Sequence, residues 1–473
     1  MVISYRKIAH LIFLPLQPND TITGICEDLH FFEEGMLYVM RKGNFYNGFQ
    51  DCEEVIRRKG YPIHGDPHFH QGYYVENLEK KLSALLDVFY QNRHYHFKTV
   101  GICGTNGKTT TMMIIEKIVA DKYVFSVGTH RVKGTKGTFT IRNTTPNVVT
   151  LMNLAEKAEE ENCEYFIMEV SSHAIDQKRI RYLRFDYLIY TTISRDHLDY
   201  HKSLIHYRFS KYKLTKYLKR DGIVIANADE VYFNELKQIY SGRILSYGYH
   251  KAAHFQITDV SLLLDQTSFY INRFYFQSKL IAMMNVYNLS AAIAFGRMRS
   301  ISYYQLYKTI NAISNCQGRM DCIVKEPVQI YIDYAHTSFA LQQSLQFFVS
   351  VKKQGQNLIV VTGCGGNREK EKRAEIGYYA SYYSDCAIFT EDNAREEAIG
   401  SILNDMSVRV CDNVVCIEQR REALDYALNI AKKNDIILVS GKGDEKTLEK
   451  NGTIFPFDDR AVMLSLLGEK VWK

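Results

Sequence analysis

A glycine-rich stretch followed by a lysine and three threonines has the clearest chemistry in this sequence. It runs from Val100 to Thr111 and reads VGICGTNGKTTT, between an apolar segment and a helical pattern. Closely spaced glycines let main-chain N–H groups converge on a phosphate, and the positive end of a following helix favours the same anion. Lys108 can reach the β- and γ-phosphates, and the hydroxyl of Thr109 can ligate Mg²⁺. The stretch therefore predicts a triphosphate site at a strand-to-helix corner.

The glycines of this stretch do not follow the usual phosphate-loop spacing. They lie at positions 101, 104 and 107, and Ile102 stands where the usual pattern has its first glycine. A glycine-rich turn ending in Gly-Lys-Thr could also be an ordinary surface turn. If the stretch binds a nucleotide, the predicted contacts are Gly104, Thr105, Asn106, Gly107, Lys108, Thr109 and Thr110.

Polar side chains follow the apolar strands predicted in the middle of the chain. Glu169 comes directly after the segment 165–168, and His197 lies seven residues after the segment 187–190. In open parallel sheets ligands bind at the carboxyl ends of strands, so these two side chains can meet Thr109 beside a triphosphate. Together they could hold Mg²⁺, although each residue alone could be an ordinary polar loop residue.

Several short motifs resemble those of the Mur ligase family, most closely the MurE-type ligases that extend UDP-N-acetylmuramoyl-L-alanyl-D-glutamate by one amino acid. The similar segments are GTNGKTT from Gly104, MEVSSHA from Met168 and SRDHLDYH from Ser194. Lys211 lies fourteen residues after the first histidine of the last segment, at the spacing of a family lysine that is carbamylated. The motifs span about residues 101–460, and the resemblance implies a ligase that uses ATP and Mg²⁺.

The resemblance also implies roles for the residues around the reacting groups. The catalytic residues would be Lys108, Glu169, His197 and Lys211, and Mg²⁺ would be held by Thr109, Glu169, His197 and the carbamate of Lys211. Carbamylation requires a neutral amine, and two nearby Mg²⁺ ions would lower the pKa of Lys211 because like charges repel. Without the family context, Lys211 would be interpreted as a surface lysine.

Further segments resemble the family's substrate and nucleotide contacts. The muramoyl-peptide substrate would be held by Thr144, Thr145, Ser171, Gln177 and Arg179. The nucleotide would also contact Asn288, Arg319, Asp333 and His336, in segments that read NVYNLSAA, GRMD and DYAHT. In this family pattern Asp333 contacts the ribose.

The resemblance implies that the last domain binds and selects the amino acid to be added. The residues that match the family's meso-diaminopimelate enzymes are Arg368, Asp392, Asn393, Arg395, Gly441 and Glu445. Arg368 and Arg395 can grip a distal carboxylate through forked hydrogen bonds, and Glu445 can accept from an ammonium group. L-Lysine has no distal carboxylate, so meso-2,6-diaminopimelate is expected. Ala394 replaces the family's proline and is expected to loosen the loop that aims Arg395.

Alternating strand-like and helix-like patterns predict an α/β protein of three domains. Residues 1–95 would form a small α/β domain similar to the family's UDP-substrate-binding domain. Residues 96–317 would form a central ATP-binding domain with a parallel sheet like that of phosphate-loop ATPases, and residues 318–473 a Rossmann-like C-terminal domain that binds the amino acid. Residues 61–72, with histidines at 64, 68 and 70, are expected to form a connecting loop rather than a metal site.

The composition limits the class of protein. The 473 residues are 46% apolar with a net charge of +6, and the ten cysteines form no Cys-x-x-Cys pair. No run of 18 apolar residues and no signal-peptide pattern is present. We expect a cytoplasmic monomer with small-molecule substrates, no membrane span and no nucleic-acid partner. The spread positive charge would suit an anionic substrate or an ordinary solvated surface.

The expected function is ATP-dependent amide-bond formation in peptidoglycan precursor synthesis, through an acyl phosphate on the D-glutamate. L-Lysine or another amino acid is one alternative. Leu29 and His30 stand where the family has a serine and an arginine near the uracil nucleotide, and the segment 43–48 keeps little beyond its glycines. A ligase for another carboxylate, such as a folate or polyglutamate, is therefore a second alternative. A third alternative is a nucleotide-binding protein that has lost its ligase activity. Such a protein should have other residues in place of Glu169 or Lys211.

Overall fold

The computed structural model describes residues 2–42, 47–129, 131–141, 143–314 and 316–469. Residues 43–46 of the segment 43–48 lie outside these ranges. The chain divides into two compact units: unit 1 comprises residues 1–101, 121–187 and 216–222, and unit 2 comprises residues 102–120, 188–215 and 223–473. The boundaries expected for three domains stay a prediction.

The described part of the first 95 residues contains short strands and two helices. The strands are β1 (Ile3–Ser4), β2 (Thr21–Ile22), β3 (Gly24–Cys26), β4 (Met36–Val39), β5 (Tyr61–His64) and β6 (Tyr73–Tyr74), and the helices are α1 (Cys52–Arg57) and α2 (Leu78–Tyr90). Strands β3 to β6 form a parallel sheet in chain order, whereas β1 and β2 pair antiparallel. The sheet packs on a small core that includes Phe32, Tyr38 and Val55.

The middle of the chain supplies one large sheet. Its strands are β7 (Lys98–Cys103), β8 (Val124–Gly128), β9 (Arg131–Gly134), β10 (Gly137–Phe139), β11 (Tyr165–Glu169), β12 (Phe185–Tyr190), β13 (Leu218–Asn227), β14 (Ile244–Gly248), β15 (Phe255–Leu262), β16 (Thr267–Ile271) and β17 (Phe274–Ser278). They form an 11-stranded sheet in the order β10-β9-β8-β11-β7-β12-β13-β14-β15-β16-β17.

Eight helices accompany these strands in the described residues. They are α3 (Lys108–Ile118), α4 (Val148–Glu160), α5 (Ser172–Asp176), α6 (Leu198–His201), α7 (Leu204–Tyr212), α8 (Tyr232–Ile239), α9 (Met283–Met298) and α10 (Tyr303–Ala312). Within unit 2, α3 packs against α9 and α10. The helix that follows the glycine-rich stretch is therefore supported along its length.

The last part of the chain forms a second α/β layer structure. Its strands are β18 (Asp321–Val324), β19 (Gln329–Asp333), β20 (Leu358–Thr362), β21 (Cys386–Phe389), β22 (Val414–Cys416), β23 (Ile436–Ser440), β24 (Thr447–Lys450) and β25 (Thr453–Pro456). Its helices are α11 (Ser338–Val351), α12 (Glu371–Tyr383), α13 (Ile399–Met406), α14 (Arg420–Ile430) and α15 (Asp459–Glu469). Short 3₁₀ helices elsewhere in the chain cover Tyr5–Lys7, Leu29–Phe31, Gly48–Asp51, Lys213–Tyr217 and Ser407–Arg409.

The six-stranded sheet of this region has the order β18-β19-β23-β20-β21-β22, and only the edge pair β18–β19 is antiparallel among its described pairings. Strands β20 and β23 are buried throughout because helices cover both faces of the sheet. Alternate residues divide between two cores: Val360 and Leu438 face one, whereas Val361 and Val439 face the other. A continuous apolar run is what such a strand requires.

Most elements expected from the sequence are present, and the predicted α/β class is confirmed. The strand before the glycine-rich stretch, the helix after it and the strands that end at Glu169 and Tyr190 lie where the apolar patterns placed them. The expectation of a loop over residues 61–72 is wrong at its start, because Tyr61–His64 forms β5. His64 is buried there, and no group of three or more His, Cys, Asp or Glu side chains suited to a metal occurs among the described residues.

Within the described ranges, no helix is both long enough and apolar enough to cross a membrane.

A buried ion pair joins three segments of the C-terminal region. Arg420, at the start of α14, donates from Nε and Nη2 to the two carboxylate oxygens of Asp459 over 2.7 and 2.8 Å. The same guanidinium donates to the carbonyl oxygens of Glu391 (3.1 Å) and Ser440 (3.0 Å). Both charged residues are fully buried. This pair therefore fixes the ends of β21 and β23 against the start of α15.

We predict that Arg420→Ala lowers the free energy of unfolding by about 3–5 kcal/mol, because it leaves the Asp459 carboxylate buried without its partner. Guanidinium-induced unfolding of the full chain measures the effect. The matched control is Arg421→Ala, which removes an exposed arginine from the adjacent position of the same helix. Equal stability of the two variants would contradict the prediction.

Candidate active site

The glycine-rich stretch forms a tight corner between β7 and α3. Gly107, the residue before α3, has φ +87°, and a side-chain carbon there would overlap the Oδ1 atom of Asn288. A side-chain carbon on Gly104 would overlap the Oγ1 atom of Thr191. Glycine is therefore required at both positions, for backbone conformation at 107 and for close packing at both. The corner leaves the start of α3 facing the loop, as an anion site requires.

The lysine of the stretch folds over its own loop. Lys108 is the first residue of α3, and its Nζ donates to the carbonyl oxygens of Gly104 (3.1 Å) and Thr105 (3.0 Å). Thr109 and Thr110 follow in the first turn of the helix. Asn288 from α9 accepts from the hydroxyl of Thr111 over 3.4 Å. The predicted nucleotide contacts of this stretch thus occupy one continuous corner of unit 2.

The loop is tied to the segment that carries His197. The Oγ1 atom of Thr105 donates to the carbonyl of Ser194 over 3.0 Å and accepts from the Ser194 N–H over 3.0 Å. It also lies 2.9 Å from the hydroxyl of Tyr207 on α7. Asn106 contacts Ser194 over 3.4 Å and reaches Thr337, at the start of α11, over 3.5 Å. One loop therefore holds residues that are distant in the sequence.

Lys211 is buried, so the interpretation as a surface lysine is wrong. The side chain on α7 is 1% exposed, and its Nζ donates to the carbonyl oxygen of Gly104 over 2.8 Å. The amine also lies 4.6 Å from the ring centre of Tyr207. Burial lowers the pKa of Lys211, and the smaller opposing effects of Cys103 and Asp196 do not reverse this. A larger neutral fraction of the amine follows, which is the precondition for carbamylation.

Asp196, which the sequence reasoning did not single out, positions His197. Its Oδ2 atom lies 3.3 Å from the Nε2 atom of His197, and its Oδ1 atom accepts from the His197 N–H over 3.0 Å. Burial raises the pKa of the Asp196 carboxyl, but the electrostatic effects of His197 and Lys372 outweigh it and lower the pKa to about 2. Asp196 is therefore a carboxylate at neutral pH. The sequence signal that could have identified Asp196 is its position directly before His197.

Glu169 ends β11 in unit 1 and is fully buried. Its carboxylate accepts from the N–H and the hydroxyl of Thr129 over 3.0 and 3.1 Å. The hydroxyl of Thr144 lies 3.1 Å from that of Thr129, and the hydroxyl of Thr145 donates to the Glu169 carbonyl over 2.9 Å. The predicted metal ligand and the first two predicted substrate residues therefore form one network.

The remaining substrate residues predicted in unit 1 extend this network. The Ser171 N–H donates to the hydroxyl of Thr145 over 3.0 Å, while the Ser171 hydroxyl caps α5. Arg179 donates to the Thr145 carbonyl over 2.8 Å and to the Oε1 atom of Gln177 over 2.6 and 2.9 Å. Sequence positions 144–179 thus converge on one polar surface that could bind a carboxylate-bearing substrate.

Three predicted nucleotide contacts lie near the start of the C-terminal sheet. The Nη1 atom of Arg319 donates to Asp444 over 3.0 Å, and its guanidinium carbon lies 4.0 Å from the ring centre of Tyr334. Asp333 is buried and accepts from Ser344 and two main-chain N–H groups. Burial raises the pKa of the Asp333 carboxyl, against these hydrogen bonds. Burial also lowers the pKa of His336, which accordingly favours the neutral imidazole.

The predicted amino-acid residues also converge. Asn393 donates from Nδ2 to the Oε2 atom of Glu445 over 2.9 Å. Gly441 has φ +109°, and a side chain there would approach Asp392. Lys442, which the sequence reasoning passed over, is fully buried and lies 3.0 Å from Glu445 and 3.6 Å from Asp392. Burial raises the pKa of Asp392, but the charges of Lys442 and Arg420 outweigh it and lower the pKa overall.

Arg395 lies near this acidic cluster, and Arg368 lies near Arg395. Arg395 donates to the carbonyl oxygen of Gly366 over 2.6 Å, and the exposed Arg368 lies close enough to repel it. Burial, followed by that repulsion, lowers the pKa of Arg395. The main chain of Arg395 is held on both sides, because its N–H donates to Glu449 and its carbonyl accepts from Asn451. Ala394 is buried beneath it, so main-chain pairing restrains the loop that lacks a proline.

The N-terminal segment that departs from the family motif begins a short 3₁₀ helix. Leu29 and His30 begin a 3₁₀ helix in which Asp28 accepts from the His30 N–H over 2.9 Å. The exposed ring of His30 packs against Phe31 and Phe139, with ring centres 5.1 and 4.9 Å apart. An aromatic cluster therefore occupies the place of the expected serine and arginine.

The α/β fold and two matches to known ligase domains identify the chain as an ATP-dependent ligase that forms amide bonds. The chain belongs to the Mur ligase family. Residues 102–296 match the Mur ligase middle domain, and residues 318–443 match the Mur ligase glutamate ligase domain.

Relatives match along nearly the full chain. A UDP-N-acetylmuramoyl-L-alanyl-D-glutamate--2,6-diaminopimelate ligase of Aquifex aeolicus is 32% identical and is covered to 94%, as is this chain. A ligase of the same name from Oceanobacillus iheyensis is 31% identical over 96% of both chains. A solved structure of a UDP-N-acetylmuramoyl-L-alanyl-D-glutamate--2,6-diaminopimelate ligase has a TM-score of 0.61 at 24% identity and 99% coverage of both chains, so it supports the fold.

We predict that Lys108→Met lowers the turnover of ATP by about 10²–10³-fold, because it removes a preorganised positive charge from the phosphate site. The measurement is phosphate release at saturating substrates. Lys117→Met is the matched control, since it removes an exposed lysine from the same helix. A Lys108→Met enzyme as active as the control would place the phosphates elsewhere.

Proposed function

We propose that this protein joins meso-2,6-diaminopimelate to the D-glutamate of UDP-N-acetylmuramoyl-L-alanyl-D-glutamate, with conversion of ATP to ADP and phosphate. The observation that carries the choice of amino acid is the pair Arg368 and Arg395 beside the Asn393–Glu445 cluster. The guanidinium groups would bind the distal carboxylate, and Glu445 would accept from the distal ammonium. The names of the relatives support the same acceptor and amino acid.

The residues present fit a nucleotide and Mg²⁺. Gly104 and Gly107 let the loop turn tightly at the start of α3, and Lys108 lies beside the turn. We propose that ATP contacts this corner together with Asn288, Arg319, Asp333 and His336. Thr109, Glu169, His197 and carbamylated Lys211 would hold Mg²⁺, since hydroxyl, imidazole and carboxylate groups suit a hard cation. Bound Mg²⁺ would neutralise phosphate charge.

The first chemical step faces a repulsion between two anions. An oxygen of the D-glutamyl carboxylate attacks the γ-phosphorus of ATP, and the bond to ADP breaks, which leaves an acyl phosphate. Lys108 and Arg319 would stabilise the charge that builds up on the transferring phosphoryl group. The network of Thr145, Ser171 and Arg179 would hold the carboxylate-bearing substrate in place.

The second step forms the amide. The neutral amine of the amino acid attacks the acyl carbon, phosphate leaves with the bonding electrons, and the nitrogen loses a proton. Exclusion of water protects the acyl phosphate from hydrolysis. We propose that residues 1–95, 96–317 and 318–473 act as the UDP-substrate, ATP and amino-acid domains of a cytoplasmic enzyme of peptidoglycan precursor synthesis.

A different acceptor is the second candidate. The aromatic cluster of His30, Phe31 and Phe139 stands where the family has a serine and an arginine near the uracil nucleotide. Such a surface could select a different carrier on the same carboxylate. The choice of acceptor is thus separable from the choice of amino acid.

We expect phosphate release from ATP by the purified protein to require both UDP-N-acetylmuramoyl-L-alanyl-D-glutamate and meso-diaminopimelate. L-Lysine and L-ornithine should fail, because they lack the second carboxylate. Arg395→Met should raise the KM for diaminopimelate by about 10–100-fold through loss of a charge-assisted hydrogen bond. Arg409→Met, which removes an exposed arginine, serves as its control.

Three outcomes of this assay would count against parts of the proposal. Release with lysine alone would refute the amino-acid assignment. Release with diaminopimelate only when a folate or polyglutamate replaces the UDP-sugar would refute the acceptor. No amine-dependent release with any acceptor would favour a protein that has lost ligation.

We also expect Lys211 to react with CO₂. The neutral amine adds to the carbon of CO₂ and loses a proton, which gives a carbamate. Enzyme equilibrated with ¹³C-bicarbonate should show a carbamate ¹³C signal that Lys211→Met abolishes. Lys213→Met, two residues away at an exposed position, should keep the signal. A signal unchanged by Lys211→Met would refute the carbamate.

A further inference from the structure

Tyr334 is the residue of the DYAHT segment to which no role has been given so far. It lies directly after β19 and is half-buried. One face of its ring lies against the guanidinium of Arg319, whose central carbon is 4.0 Å from the ring centre. Its hydroxyl donates to the Oε1 atom of Glu445 over 3.2 Å. A single side chain therefore contacts a residue of the proposed nucleotide site and a residue of the proposed amino-acid site.

The ring fixes Arg319 together with one carboxylate. Arg319 donates to Asp444 over 3.0 Å and to the Gly318 carbonyl over 3.1 Å. These bonds use Nη1, and the ring of Tyr334 supports the plane of the guanidinium. A cation held against an aromatic face keeps its orientation because the interaction depends on the ring's negative face. Arg319 thus has a defined direction.

The hydroxyl of Tyr334 and the amide of Asn393 bind different oxygens of the Glu445 carboxylate. The other carboxylate oxygen of Glu445, Oε2, accepts from Asn393 over 2.9 Å and lies 3.0 Å from the amine of Lys442. Tyr334 supplies a donor to Oε1, so both oxygens are engaged. Burial raises the pKa of Tyr334, so the hydroxyl keeps its proton and remains a donor at neutral pH.

A glycine makes this arrangement possible. Gly443 has φ +55°, and a side-chain carbon on it would lie 2.7 Å from Tyr334 and 2.7 Å from Arg319. Neither a van der Waals contact nor a hydrogen bond to carbon allows that distance, so the loop 441–445 can approach both residues only without a side chain here. The close approach of this loop to Tyr334 and Arg319 therefore depends on glycine at position 443.

We propose that Tyr334 is a positioning residue with two separable roles: its ring orients Arg319 toward the nucleotide, and its hydroxyl orients Glu445 toward the amine substrate. The inference rests on the proposed function for the identity of the two ligands. It does not make Tyr334 a catalytic residue, because the side chain acts through Arg319 and Glu445.

Two substitutions separate the roles. Tyr334→Phe keeps the ring and removes the hydroxyl, so the KM for meso-diaminopimelate should rise about tenfold, as expected for loss of a hydrogen bond to a charged group, while the KM for ATP stays unchanged. Tyr334→Leu removes both contacts and should raise both KM values. Affinity for Mg·ADP, measured by calorimetry on the full chain, should match wild type in Tyr334→Phe and fall several-fold in Tyr334→Leu.

The control pair is Tyr378→Phe and Tyr378→Leu, at an exposed position on α12. A purely structural role for Tyr334 would lower the melting temperature without separating the two KM values, and that result would overturn the inference. So would a Tyr334→Leu variant that binds Mg·ADP as tightly as Tyr334→Phe. If wild type does not use diaminopimelate, the proposed function fails by itself, and the calorimetric comparison still decides whether the ring orients Arg319.

Discussion

The carbonyl oxygen of Gly104 accepts from two lysine amines, and much of the site depends on this convergence. Lys108 reaches it from the start of α3 over 3.1 Å, and Lys211 reaches it from α7 over 2.8 Å. Two full positive charges on one oxygen would repel each other, and burial of Lys211 adds a cost for its charged form. The arrangement is relieved when one amine is neutral. The packing at this corner thereby favours a neutral Lys211, as the proposed carbamate requires.

Features that depend on residues close together in the sequence could be predicted. Local sequence patterns predict the glycine-rich corner, the strands with continuous apolar runs and the polar residues at their ends. The family resemblance gave the order of the motifs along the chain. Arg368, Asn393 and Glu445 were expected in one amino-acid site, and Asn393 and Glu445 do contact each other. Their residue types carry the chemistry, so the sequence alone was informative there.

Long-range contacts could not be predicted in the same way. The bonds from Arg420 to Asp459 and from Tyr334 to Glu445 join residues 39 and 111 positions apart, and no local pattern specifies such partners. Tyr61–His64 was missed as a strand because its proline and histidine favoured a loop, while pairing with β4 decides its conformation. Tertiary packing also determines that Lys211 is buried.

The ion pair of Arg420 and Asp459 has a consequence for how the protein is made. Arg420 leaves the ribosome before Asp459 does, so a nascent chain that ends between residues 420 and 459 has a guanidinium whose final partner has not yet been synthesised. The ends of β21 and β23 lack the carboxylate that balances this charge until residue 459 has emerged. Chains that stop between residues 420 and 459 would therefore carry an unmatched charge into the region where this pair is buried.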